Sequence, residues 1–309
     1  MVEAIADSFQ PQVHAMKNPL NLYHPATVLC YFLFVIPLSI VLFHPVFACI
    51  SFVCAASASL VTAGLKNTGG AMKLCLILCV VIILFNTAFN VNGATVWFRF
   101  LGRQILLEGF VYGLCSALVL SSVVLWFTCY TASIDSDRFL YLFGGVFPNA
   151  ALLISMTFNQ TQLIQSKAAQ IDDAQQGLYA QAAKGLRKRI YFAGRKVSAL
   201  LDWSMEDSVE TADSMHSRGY ATGKRTKMKF YFFSRRDIAF AAPAFVLFIL
   251  IMFFLTQGYA DFRFYPLADP VGFNFPQTAA YAAYLILLMF PLFAAVREVV
   301  TWHLLRSEI

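Results

Sequence analysis

Residues 206–219, EDSVETADSMHSRG, place a cation where it is suited to a polar contact with another molecule. Glu206, Glu210 and Asp213 recur at helical spacing on one face, and Met205, Val209, Ala212 and His216 recur on another. Gly219 ends the pattern, because glycine enters the left-handed conformation of a helix C-terminus without steric cost. Arg218 therefore falls at a helix tip, where the dipole favours a cation. The residues three and four before it are Met215 and Ser214, so no acid on the same helix occupies its guanidinium. Ser217, Arg218 and Gly219 are the first candidate site.

Other chemistries fit less well. Gly219-Tyr220-Ala221-Thr222-Gly223-Lys224 has three residues between its glycines where a phosphate loop has four, and Arg225 stands where that loop needs a hydroxyl residue. The seven cysteines, Cys30, Cys49, Cys54, Cys75, Cys79, Cys115 and Cys129, all fall in apolar runs and read as small hydrophobes. Cys75 and Cys79 share a helical face, but no histidine is near them in sequence, so no metal is expected. No zinc-protease motif, nucleophile elbow or paired-carboxylate site is present, which argues against an enzyme and implies no cofactor.

The elements that position the tip come from composition. The chain is 59% hydrophobic and 13% charged over 309 residues, more apolar surface than a water-soluble core hides. Crossing the hydrocarbon takes roughly 20 apolar residues as a helix. Residues 26–43, 45–63, 73–89, 109–131, 238–256 and 278–296 read as six spans, the first two separated at His44-Pro45. None contains an internal carboxylate, so no proton pathway is expected. Residues 1–25 read as an interfacial lead-in rather than a cleaved signal, and 26–131 as a four-helix membrane portion. Lys66 to Gly70 reads as a turn, and Trp97, Phe98 and Phe100 as an aromatic belt segment in a loop.

Residues 132–236 contain no span-length apolar run and carry 15 of the 23 lysines and arginines. Such an excess belongs on the cytoplasmic side, which puts both termini there too, with 237–309 as a C-terminal helix pair. Within this region 147–170 reads as a helix with Phe147, Ala151, Ile154 and Phe158 on one stripe, followed by a connector at 171–181 broken at Gly177. Leu186, Ile190, Ala193, Val197, Leu200 and Leu201 mark a second amphipathic helix, and the acid-striped helix is read as a third. Residues 224–236 interleave cations with aromatics directly before a span, a pattern that suits lipid headgroups better than nucleic acid. The fold class is all-α: a polytopic membrane protein of about six spans with long cytoplasmic amphipathic helices.

In this order of parts, and in Ser208 to Tyr220 above all, the chain resembles the transmembrane T component of energy-coupling factor transporters, whose helices end in Ala-Arg-Gly or a variant. A weaker likeness is Tyr23-His24-Pro25, where that family often has Asp-Pro. An earlier copy of the arginine motif aligns with Lys167-Ala168-Ala169-Gln170, and Ala169 stands where arginine is usual. The resemblance implies a scaffold whose two coupling helices dock on two cytoplasmic ATP-binding subunits. It implies also a small membrane-embedded substrate-binding subunit, for a vitamin or a metal ion, held by apolar positions such as Phe158, Ile190 and Val197. The alternative is a self-sufficient carrier or channel, which needs charged or broken-helix residues within its spans.

The basic excess makes a direct prediction. Cysteines placed at Lys196 or Lys224 on a cysteine-free background should resist an impermeant thiol reagent in intact cells and react once the membrane is opened. Labelling from outside would reverse the topology.

Overall fold

The computed structural model describes residues 19–89, 95–100, 103–144, 147–179, 186–220, 222–223, 231–265, 272 and 274–297. The chain divides into two compact units, one formed by Met1–Phe139 with Tyr231–Ile309 and the other by Leu140–Phe230.

Two His-Pro steps open the first unit by the same device. Proline suits the first turn of a helix, where no N–H is required, and the histidine before it turns its ring back to cap that turn. His24 Nδ1 accepts from the Ala26 amide and His44 Nδ1 from the Val46 amide, each at 3.2 Å. They start α1 (Pro25–Val41) and α2 (Pro45–Thr62). Gly64, at φ 78°, reverses the chain into α3 (Gly64–Phe89). The expected turn at Lys66–Gly70 is therefore helical, and the Thr68 hydroxyl fastens it to α2 by donating to the Ser59 carbonyl at 2.8 Å.

Strands β1 (Val96–Phe100) and β2 (Arg103–Leu106) then pair antiparallel. Among the described residues the chain is all-helical as expected apart from this short hairpin, which replaces the irregular loop expected here: Val96, Trp97, Phe98 and Phe100 are residue types that favour the pleated backbone. Glu108, buried in the first turn of α4 (Leu107–Ser133), holds the base of the hairpin by accepting from the amide and the hydroxyl of Thr95. The short α5 (Ser136–Phe143) leads toward the second unit. After the return come α8 (Arg235–Thr256), α9 (Phe275–Leu288) and α10 (Phe290–Arg297).

Four of these helices, α2, α3, α4 and α8, are long and apolar enough to cross a membrane, and α9 with α10, bent by 45°, counts as a fifth. At 17 residues α1 is a shorter apolar helix, so the six expected spans are met as four to five. Such an array is compatible with a multi-pass membrane protein.

Helix α4 packs on α1, α2 and α3, and α9 packs on α2 and α8. Gly109, Gly113, Ala117 and Ser121 recur every fourth residue on α4 and let α3 approach closely. A Cβ on Gly113 would lie 3.0 Å from the Asn86 Cβ and 3.4 Å from the Ile83 Cα. The shared face of Cys75 and Cys79 meets this stripe, with the Cys75 thiol donating to the Ser121 carbonyl at 3.5 Å.

One polar chain runs through the apolar core. Trp126 Nε1 donates to Ser51 Oγ at 3.3 Å, Ser51 Oγ to Ser39 Oγ at 3.2 Å, and Ser39 Oγ to the Val35 carbonyl at 2.8 Å. Ser39 has then spent its proton, so the contact with the Tyr284 hydroxyl at 3.1 Å has Tyr284 as donor. The break between α9 and α10 has a similar logic. Pro291 has no N–H for the Leu287 carbonyl four residues back, and the Tyr31 hydroxyl donates to that carbonyl instead, at 3.2 Å.

His44 is 3% exposed, and its Nε2 lies 3.3 Å from the Tyr281 hydroxyl. Because Nδ1 accepts from Val46, the neutral ring carries its proton on Nε2 and donates it to Tyr281. Burial lowers the ring's pKa from the usual 6.5. The unfolded chain thus takes up a proton at a pH where the folded one does not. The stability this gives is complete above the unfolded value and is lost as pH falls toward the folded one. Thermal unfolding in detergent should move to lower temperature between about pH 7.5 and about pH 5.5. His44→Asn, which keeps a capping acceptor, should flatten that dependence; an unchanged slope would remove His44 as its source.

Candidate functional site

The second unit is built from two helices of 32 residues each, α6 (Pro148–Tyr179) and α7 (Leu186–Ser217), each about 48 Å long at the α-helical rise. Neither breaks where the sequence suggested. Gly177 lies within α6, since an isolated glycine costs about 1 kcal/mol in a helix, too little by itself to end one. The second and third amphipathic helices are one, because Asp202-Trp203-Ser204-Met205 contains no residue that stops a helix. The connection at 180–185, and the basic and aromatic run at 224–230, lie outside the described residues.

The two helices run antiparallel along a polar seam. Gln160 Nε2 donates to Asp207 at 2.8 Å, Lys167 Nζ lies over the Trp203 ring at 5.6 Å, and Lys196 Nζ pairs with Asp172 at 2.6 Å. As residue number rises on one helix it falls on the other. Each contact is partly exposed, so the ion pair stabilises by about 0–1 kcal/mol and the cation–π contact by about 0.5–1 kcal/mol.

At the far end of α7 the chain forms a complete Schellman motif. The Gly219 amide donates to the His216 carbonyl at 3.0 Å and the Tyr220 amide to the Met215 carbonyl at 3.1 Å, with Gly219 at φ 78°. Ser217 Oγ folds back onto the Ser214 carbonyl at 2.9 Å. Arg218 is exposed, and its side chain has no partner among the described residues.

Lys167, Ala168, Ala169 and Gln170 sit differently. They lie inside α6, more than two turns before its end, with Lys167 engaged on Trp203 and only Ala169 and Gln170 exposed. Arg218 is 11 residues past Asp207 and Lys167 is 7 past Asp207's partner Gln160, in the opposite axial direction. The sum, 18 residues, separates the two stretches by about 27 Å along the axis. Phe158, Ile190 and Val197 are 50%, 65% and 55% exposed. Ile190 and Val197 share a stripe with Leu201, whereas Phe158 lies at the Asp207 end of the pair, so the three are not one patch.

Charge along α7 opposes the helix dipole. Arg187, Lys188, Arg189, Arg195 and Lys196 occupy its N-terminal part, and Asp202, Glu206, Asp207, Glu210 and Asp213 its C-terminal part. The dipole favours the reverse order. Among the described residues no group of three or more His, Cys, Asp or Glu could hold a metal ion. Sequence reasoning missed Trp203 as the seat of Lys167, although the Lys167-to-Trp203 pairing becomes visible once two antiparallel helices are drawn with Gln160 beside Asp207.

No protein-family model matches the chain, and no curated protein matches it by sequence.

The cap makes a local prediction. A Cβ at position 219 would be held in the left-handed region and 3.2 Å from the Thr222 Oγ1. Gly219→Ala should cost the helix end about 1–2 kcal/mol. Amide exchange at Gly219 and Tyr220 should accelerate accordingly in the intact protein, and Gly219→Asn should exchange more slowly than Gly219→Ala.

Proposed function

We propose that this chain is the transmembrane coupling subunit of an energy-coupling factor transporter, passing ATP-driven motion of two cytoplasmic ATPases to a small membrane-embedded subunit that binds a vitamin or a metal ion. The observation that carries the reading is Arg218: an exposed guanidinium on a fully capped tip of a 32-residue helix, in a chain that also holds span-length apolar helices. A cation held at a rigid tip suits a groove that offers a carboxylate. The separation of about 27 Å between Arg218 and the Lys167 stretch suits two partner proteins rather than one groove. The apolar positions Ile190, Val197 and Phe158, exposed on the same unit, are the places for the membrane-embedded partner.

The coupling is asymmetric in this reading. Arg218 supplies the principal polar contact to one ATPase, and the stretch at Lys167 acts by shape, since its lysine is already seated on Trp203. Removing one partner of a desolvated charge pair costs about 2–5 kcal/mol. Arg218→Ala should release the ATPases from the purified membrane subunit and depress uptake far more than Lys167→Ala. Arg218→Lys should restore little if the contact is a two-pronged one. Equal losses from the two alanine variants refute the asymmetry, and normal uptake by Arg218→Ala removes this residue from the mechanism.

A further inference from the structure

The chain leaves the first unit after Phe139 and rejoins it at Tyr231, and two buried ionisable side chains stand beside these points. Arg138 is 8% exposed. Its Nη1 donates to the Ser133 carbonyl at 3.2 Å, its Nη2 to the Asn21 carbonyl at 2.6 Å, and its guanidinium carbon lies 5.7 Å from the centre of the Tyr231 ring. The cation is thus held by the carbonyl end of α4, by the turn before α1 and by an aromatic face. Asp237 is 2% exposed. One carboxylate oxygen accepts from the Ser234 amide at 2.7 Å and the Ser234 hydroxyl at 3.0 Å, and the other from the His24 amide at 2.7 Å. The first oxygen completes the capping box of α8; the second ties α8 to the cap of α1 across 213 residues of sequence. The His24 ring packs in turn against Phe233 at 5.4 Å between centres.

We propose that Arg138 and Asp237 form a clasp that, within the first unit, fastens the segment leaving it at Phe139 and the segment returning to it at Tyr231 to the start of α1. Holding two strands of chain at one point is useful to a part that transmits force: slack at either crossing would absorb displacement before it reached the apolar helices. Guanidinium chemistry suits the task, because a planar fork can donate to two carbonyls from different elements and still stack on a ring, which an ammonium cannot do at once. That the clasp serves coupling rests on the function proposed above; that it exists does not.

The test separates these two. Spin labels are introduced through p-acetylphenylalanine at the exposed positions Asp137 and Phe232 of the whole chain, and the distance between them is measured in detergent. The unsubstituted background should give one narrow distance peak. Arg138→Met and Tyr231→Leu should each replace it with a broad distribution, the double variant should broaden no further than either single one, and Tyr231→Phe should keep the narrow peak. A narrow peak in Arg138→Met, with the protein still folded by its thermal transition, overturns the clasp. In the assembled transporter the same Arg138→Met should leave the ATPases bound and hydrolysing while uptake is lost. If no ATPases accompany the unsubstituted chain, the coupling function fails while the distance result stands.

Discussion

The Ser39 hydroxyl is the point on which the apolar unit's arrangement depends. Lipid tails are as apolar as leucine, so burial of apolar surface does little to choose one helix register over another within a membrane. Ser39 donates to its own helix and accepts from α2 and α9, while Trp126 of α4 feeds the same chain through Ser51. Turning any one of these helices by a residue would leave a buried hydroxyl or indole without its partner, at a cost of about 1–3 kcal/mol. Close packing then follows where small residues permit it, as at Gly113 and Ala117 under α3.

The proline positions extend this logic. Pro25 and Pro45 lie where a missing N–H harms nothing, and Pro291 lies where the freed carbonyl gains a tyrosine hydroxyl from another helix. A bent span is therefore a place where two helices are locked together. The break that shortens α9 is part of the core's polar wiring.

Much of the apolar architecture was legible because hydropathy and proline placement act over short stretches of chain. His44-Pro45 divided α1 from α2 as read, and Gly219 ended α7 as read. Features set by distant partners were not legible. Arg138 looked like one of fifteen loop cations, and only the Asn21 carbonyl and the Tyr231 ring, far away in sequence, distinguish it. The continuity of α7 was missed because a change from basic to acidic composition resembles a boundary, although backbone propensity runs through it unbroken. The hairpin at Val96–Phe100 was missed because aromatic residues at a membrane edge fit a belt as well as a strand. At the helix pair, spacing identified the tip of Arg218 but gave no sign that Lys167 was already engaged.

The charge order of α7 has a further meaning at its tip. Backbone dipoles alone place about half a negative charge at a helix C-terminus, and Asp213 stands about 8 Å back along the axis from Arg218, whereas Glu210, Asp207 and Glu206 lie about 12–18 Å back. Arg218 is therefore a cation beside a negative helix end, and with a Debye length of about 8 Å the dipole and Asp213 act at the tip while the more distant acids are largely screened. The tip thus brings two signs together at short range, the guanidinium and the negative helix end beside it.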